Sequence, residues 1–201
     1  GYRSREILAA WHEGVKAQGE HEARLQGGWY LAQNGWKVCH DGSRAGSSYL
    51  PHSPSSDEST ASLVRIGLLG HSYLIYDEFA NMGMVNRLRR MGTKVLTIDM
   101  LSPEAIEAQA VKWPKRMFWT SGRRILGAAW EYMEAPVAGI VYVTAFGCGT
   151  DSLTAELVER TVRRQTEIPQ LILNLDEHTG EAGVVTRLEA FVDMLRWRQN
   201  R

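Results

Sequence analysis

The chain has 201 residues, enough for one ordinary domain with an appendage but too few for two complete domains. Hydrophobic residues make up 44% and charged residues 23%, a composition that excludes a wholly disordered chain and a disulfide scaffold. Lys plus Arg and Asp plus Glu each total 23, so no net charge exists to hold a nucleic acid or an anionic membrane surface. The longest apolar stretch, around Val137 to Phe146, is too short for a spanning helix of roughly 18 residues. We therefore expect neither nucleic-acid binding nor membrane insertion.

The residues before position 40 predict a helix followed by a short extended segment. Ile7, Trp11 and Val15 recur every four residues, which is typical of an amphipathic helix, and the pattern runs to about Leu25. The segment 29–39 is predicted to be extended. Residues 1–13 have no signal-peptide core. Because no spacing pairs Cys39 with Cys148 or with a histidine, a reducing cytoplasm is the expected location.

Residues 40–62 differ sharply in composition from the rest of the chain. They contain eight serines, two glycines and two prolines and almost no large apolar side chains, which predicts a linker or a disordered loop. We therefore divide the chain into an N-terminal helical segment over 1–39, a Ser-rich linker over 40–62 and an α/β domain over 63–201.

Short β-branched runs alternate with helical patterns after the linker, as in α/β domains. The predicted strands are Val64–Leu69, Lys94–Ile98, Gly139–Thr144 and Leu171–Leu175. The predicted helices run over 78–91, 102–113, 122–133, 152–164 and a closing segment around 184–195. Strands separated by helices need crossover connections, which are right-handed in nearly all proteins. The sequence therefore predicts a Rossmann-like or flavodoxin-like three-layer sandwich with a four-stranded parallel sheet in the order 2-1-3-4, preceded by an N-terminal helix.

Three of the four predicted strands lead into loops that are rich in polar and small residues. These loops cover residues 70–78, 146–152 and 176–183, whereas the connection after the second strand is an ordinary helix start. Ligands of parallel sheets bind beyond the carboxyl ends of the strands, where neighbouring connections diverge. We therefore expect the three loops to meet at one edge of the sheet.

Cys148 is the strongest candidate in these loops for a metal ligand or a nucleophile. It stands between Gly147 and Gly149 at the end of a strand and just before a helix, where amide groups and the positive end of the helix dipole favour a thiolate. The two glycines would allow a cluster, a substrate or another backbone to approach closely. The alternative is a small buried cysteine in a tight turn, and Cys39 has no such setting.

The same loops carry imidazoles and carboxylates that could serve as acid–base groups or metal ligands. His71 and His178 are the imidazoles, and Asp151 and Glu177 are carboxylates near them. Asp151 could instead cap the helix that follows it. Metal-binding spacings such as CxxC and HExxH are absent from the sequence, as are the glycine-rich phosphate-binding motifs GxGxxG and GxxxxGK[ST].

Three long runs give the sequence a family resemblance. They are IGLLGHSYLIYD over 66–77, FGCGTDSL over 146–153 and LDEHTGEAGV over 175–184. Together they resemble the uncharacterised domain of CoA-substrate-specific enzyme activases, a family related to the subunits of 2-hydroxyacyl-CoA dehydratases. The resemblance covers most of residues 64–195 and, more loosely, the leading helix.

The resemblance implies a module of an anaerobic, ATP-coupled electron-transfer system in which cysteine thiolates hold a [4Fe-4S] or larger iron–sulfur cluster. Cys148 matches the family's cysteine in FGCGxD and is the implied ligand, whereas the resemblance does not assign roles to His71, Asp151, Glu177 and His178. Complete members carry further domains and cysteines, and a cubane generally needs four protein ligands. We therefore expect a fragment that is inactive alone, holds no cluster by itself and works with further domains or with a dehydratase or activase partner.

Two other functions are compatible with the same sequence features. The chain could be a non-catalytic module that binds an acyl-CoA, a nucleotide or a dehydratase partner at the strand ends. It could also be a cysteine enzyme in which His71 or His178 activates Cys148.

Overall fold

The computed structural model describes residues 3–28, 30–32, 35–37 and 64–201. These fall into two compact units, the first holding the N-terminal elements and the second a parallel sheet with its helices. In the first unit, helix α1 spans Ser4–Gly28, and strands β1 (Tyr30–Ala32) and β2 (Gly35–Lys37) form an antiparallel pair. The helix agrees with the prediction. The predicted linker over 40–62 lies outside the described residues, as does Cys39.

The second unit alternates strands with helices along the chain. Its strands are β3 (Val64–Leu69), β4 (Thr93–Thr97), β5 (Gly139–Ala145) and β6 (Gln170–Leu175). Its helices are α2 (Ser72–Tyr76), α3 (Met84–Arg90), α4 (Pro103–Ala110), α5 (Thr120–Glu134), α6 (Gly149–Gln165) and α7 (Glu181–Gln199). A 3₁₀ turn spans Ile98–Met100, and residues 99–102 are grouped with the first unit.

All four strands of this sheet are parallel, and their order is β4-β3-β5-β6. The register pairs Ile66 of β3 with Val95 of β4 and Gly139 of β5, and pairs Val141 of β5 with Leu171 of β6. The predicted order 2-1-3-4 is therefore confirmed, and so is the α/β class. Strands β3 and β5 are central, so the segments that leave their carboxyl ends start next to one another.

Apolar side chains cover both faces of the sheet. On one face, residues of β3 and β5 pack against α2, α3 and α7, with Leu68, Val141 and Leu188 all completely buried. On the other face lies Tyr132 of α5, which is also buried and donates a hydrogen bond from its hydroxyl to the carbonyl of Leu96 at 2.7 Å. Burial on both faces fixes the strand ends, and with them the loops at the carboxyl edge.

The helix predicted over 78–91 is wrong in its first half, since α3 begins only at Met84. The Asp77 carboxylate accepts hydrogen bonds from the backbone N–H groups two and three residues later, both at 2.9 Å, and so forms a turn where a helix was expected. Met82 and Gly83 then adopt positive φ angles of 56° and 67°, which no continuous α-helix allows. Turn chemistry therefore overrides the apolar periodicity of the segment.

Strand β6 is less buried than its sequence predicts. Leu173 is buried, but Leu171 and Ile172 are only half-buried. Among the described strands it lies at the edge of the sheet, as the predicted order requires. Its apolar run alone would have predicted a fully buried strand.

Candidate metal centre

The three polar loops all leave the carboxyl edge of the sheet, as predicted. Residues after β3 carry His71, residues after β5 carry Cys148 and Asp151, and residues after β6 carry Glu177 and His178. Because β3, β5 and β6 are adjacent and parallel, these loops start from neighbouring positions.

A glycine turn directs His71 away from the end of β3. Gly70 has a φ of 156°, and a Cβ added there would lie 2.9 Å from the carbonyl oxygen of Val143 on the neighbouring strand. Only glycine fits a site that is both conformationally strained and this tightly packed. His71 is the N-cap residue of α2, and its carbonyl accepts hydrogen bonds from the N–H groups of Leu74 and Ile75 at 2.9 and 3.0 Å.

A second tight turn places Cys148 at the start of α6. Gly147 adopts a φ of 77°, and the N–H of Cys148 donates to the carbonyl of Ala145 at 3.2 Å. Ser152 donates to the Cys148 carbonyl from both its N–H and its hydroxyl at 3.0 Å. A Cβ added at Gly147 or Gly149 would meet nothing within 4 Å, so the surroundings of the partly exposed cysteine are open.

Asp151 lies in the first turn of α6, and its side chain is only 1% exposed. Its Oδ2 accepts one long contact, 3.4 Å, from the N–H of Ala145. Its Oδ1 lies 2.6 Å from Nε2 of His71, yet within the described part of the chain no hydrogen-bond donor is aimed at that oxygen. The cation that such a buried carboxylate needs is the His71 imidazole when it is protonated, or a bound metal ion.

The three donor side chains converge on one point. An imidazole nitrogen of His71, Sγ of Cys148 and a carboxylate oxygen of Asp151 all lie within 4.8 Å of one another. Nitrogen, thiolate and carboxylate donors together suit a borderline ion such as zinc or ferrous iron. The three side chains therefore form a group that could hold a metal ion, and Cys148 is one of its members.

Two tyrosines surround the three donors and respond to their charge. Tyr73 stacks on His71 with ring centroids 5.4 Å apart, and Tyr142 lies buried in β5. Burial is the main cause that raises the pKa of each tyrosine, and negative charge on Asp151 and Cys148 raises the pKa of both further. The Tyr142 hydroxyl lies near Thr154 but has no well-formed hydrogen bond within the described residues. Both tyrosines therefore lie close enough to Asp151 and Cys148 to respond to negative charge there.

Sequence reasoning did not single out either tyrosine as part of this centre. Tyr142 could have been found from the sequence, because it puts a phenol in the otherwise apolar run Ile140–Val143 and a buried hydroxyl normally has a hydrogen-bond partner. Tyr73 stood within the loop after β3, two residues from His71.

Glu177 and His178 do not join the three donors. Both side chains are more than 80% exposed, and they face each other with His178 Nδ1 3.5 Å from Glu177 Oε1. They share the edge of the sheet with Cys148, but they lie on the loop of the edge strand. Their predicted catalytic role stays a prediction.

Comparison with known protein families gives two matches along the chain. The model described as the CoA enzyme activase uncharacterised domain matches residues 1–101. The model described as the 2-hydroxyglutaryl-CoA dehydratase D-component matches residues 85–195. No curated protein matches the chain significantly. Within the described residues, no helix combines the length and the apolar character needed to cross a membrane.

Proposed function

Because the chain belongs to the CoA enzyme activase uncharacterised-domain family over residues 1–101 and to the 2-hydroxyglutaryl-CoA dehydratase D-component family over residues 85–195, we propose that it is a module of a dehydratase- or activase-type iron–sulfur protein. In this role it takes part in ATP-coupled electron transfer in anaerobic cytoplasmic metabolism. Further domains or a dehydratase or activase partner complete the active protein.

The surroundings of Cys148 fit one corner of an iron–sulfur cluster. The cysteine is partly exposed at the carboxyl edge, and the open space beside Gly147 and Gly149 leaves room for a bulky group. This open cysteine is the observation that carries the proposal. One thiolate is one of about four protein ligands that a cubane generally needs, so the others come from outside the described residues. The cluster, when bound, would supply one-electron transfer.

Residues around Cys148 stabilise the negative charge that an iron–sulfur cluster and its thiolate ligand bring to this edge of the sheet. The amides of the first turn of α6 lie at the positive end of a 17-residue helix and stabilise negative charge there. His71 and Asp151 flank the thiolate. On the neighbouring loop, Glu177 and His178 are exposed to contact a substrate or partner as acid–base groups.

Anaerobic reconstitution with iron and sulfide tests the cluster proposal. We expect the chain, together with its dehydratase or activase partner, to gain visible cluster absorption and bound sulfide, and Cys148→Ser to lose both. Cys39→Ser is the matched control, because it removes the other cysteine. Equal cluster content in wild type and Cys148→Ser would contradict the proposal.

A second candidate function is a binding module for an acyl-CoA, a nucleotide or a dehydratase partner, without a cluster of its own. The observation in its favour is the exposure of aromatic rings at the same edge, 57% for Tyr73 and 70% for Phe146. Such rings can stack on an adenine base. Calorimetry with CoA esters and adenine nucleotides on Cys148→Ser separates the two, since only the second function predicts undiminished binding without any cluster.

A further inference from the structure

We infer that His71 Nε2, Cys148 Sγ and Asp151 Oδ1 together bind a single divalent transition-metal ion, of the class of zinc or ferrous iron. The inference does not depend on cluster assembly, because all three ligands belong to this chain and neither sulfide nor a partner is required.

Distance is the first argument for this site. Ligand atoms around one tetrahedral zinc ion lie roughly 3.5 Å apart, given bond lengths of about 2.0 to 2.3 Å. The three donor atoms here lie within 4.8 Å of one another, and His71 Nε2 lies 2.6 Å from Asp151 Oδ1. Small side-chain movements are therefore enough for all three atoms to coordinate one ion.

The state of Asp151 is the second, independent argument. Its carboxylate is buried, points at His71 and lacks a well-directed hydrogen bond on Oδ1 within the described residues. A carboxylate in this position costs free energy unless it is paired with a cation. The His71 imidazole is a cation only when it is protonated, whereas a metal ion between Asp151, His71 and Cys148 supplies a permanent positive charge.

Charge balance identifies the class of ion. Carboxylate and thiolate together carry two negative charges, and the imidazole coordinates as a neutral ligand, so a divalent cation makes the site neutral. The thiol proton and any proton on the imidazole leave to solvent when the ion binds. A single N/S/O set also leaves a coordination position open, as in catalytic and not in structural zinc sites.

This ion and a cluster cannot use Cys148 at the same time. The two are therefore alternative occupants of the same cysteine, and the metal site rests on His71 and Asp151 in addition to Cys148.

Cobalt titration of the purified metal-free chain tests the site. We expect a thiolate-to-cobalt charge-transfer band and the strong visible bands of a tetrahedral ion, both displaced by zinc. Cys148→Ser should abolish the charge-transfer band, and His71→Ala and Asp151→Asn should each weaken cobalt binding by at least about tenfold. Cys39→Ser and His178→Ala are matched controls that should bind as wild type. Circular dichroism confirms that each variant is folded.

The possible outcomes separate this inference from the cluster proposal. Cobalt binding that is unchanged in folded Asp151→Asn and His71→Ala, or a charge-transfer band that survives in Cys148→Ser and disappears in Cys39→Ser, overturns the metal site. Absence of cobalt binding in a wild-type chain that still assembles a cluster with its partner overturns only the metal site. Cobalt binding without cluster assembly supports the site and contradicts the cluster proposal.

Discussion

Two aspartates at the same edge of the sheet are held in opposite ways. Asp176, after the edge strand β6, is exposed and accepts hydrogen bonds from the Thr179 hydroxyl at 2.7 Å and from the His178 N–H at 2.9 Å. Asp151, after the central strand β5, is buried and has no comparable hydrogen bonds among the described residues. The first carboxylate is satisfied by its own loop, whereas the second requires a partner from another element.

Of the two polar loops after β5 and β6, only the loop after β5 contributes to the group of His71, Cys148 and Asp151. Both loops follow parallel strands, and both bring carboxylates to the edge. Only the loop after β5 begins between two other strands, where it can face the loop after β3. Convergence therefore depends on the position of the strand in the sheet more than on the number of ionisable residues in the loop.

The largest expected effect is a loss of stability in β6 that leaves metal binding by His71, Cys148 and Asp151 unchanged. Leu173→Ala removes a buried side chain of β6 and should lower the free energy of unfolding by about 2 to 5 kcal/mol. Half-buried Ile172→Ala should cost less. Denaturant melts measure both effects, and cobalt binding below the transition should remain as in wild type. Loss of cobalt binding in folded Leu173→Ala would show that the centre depends on the edge strand after all.

A pair of glycine substitutions contrasts the turn before His71 with the loop after β6. Gly70→Ala puts a methyl group 2.9 Å from the Val143 carbonyl at a φ of 156°, and should cost about 1 to 3 kcal/mol and displace His71. Gly180→Ala meets nothing within 4 Å and has a φ of −75°, so its effect should stay within about 0.5 kcal/mol. Thermal melts and cobalt titration compare the two variants. Equal stability and equal cobalt binding in Gly70→Ala and Gly180→Ala would contradict the expected difference between the two loops.

The smallest expected effect concerns the self-contained hydrogen bonding of Asp176. The hydrogen bond from the Thr179 hydroxyl, assisted by the backbone of His178, holds the pKa of Asp176 below its usual value of 3.8. Because the folded-state pKa is lowered, the stabilisation is present above the unfolded pKa and is lost as the pH falls through the folded pKa. Thr179→Val should move the pKa up toward 3.8, as measured by a carboxyl NMR titration.

Thr166→Val is the matched control, because the Thr166 hydroxyl donates to the carbonyl of Val162 on a different element. An unchanged pKa of Asp176 in Thr179→Val would show that the loop does not satisfy its own carboxylate.

Much of the fold was predictable from local sequence signals. Strand β3 spans Val64–Leu69 as predicted, because a compact apolar run ends there at a glycine. The strand order followed from the crossover argument and is confirmed. The start of α3 was not predictable from periodicity, because the Asp77 turn and the positive φ of Met82 depend on side-chain hydrogen bonding and local backbone strain.

The candidate site was predictable only in part. Topology alone brought the His71 and Cys148 loops to one edge. The sequence left Asp151 open as a helix cap or a functional carboxylate, and its burial beside His71 is a property of packing. Sequence also grouped Glu177 and His178 with these residues, because the predicted strand order puts their loop beside that of Cys148; the exposure of their side chains is a property of the folded loop.

X-ray absorption at the zinc edge of the zinc-loaded chain tests the central claim most directly. The account predicts one sulfur scatterer at about 2.3 Å and nitrogen or oxygen scatterers at about 2.0 to 2.2 Å. In Cys148→Ser the sulfur should disappear, and in Asp176→Asn the spectrum should stay unchanged. A zinc environment without sulfur in the wild-type chain, or one altered by Asp176→Asn, would contradict a centre built from His71, Cys148 and Asp151.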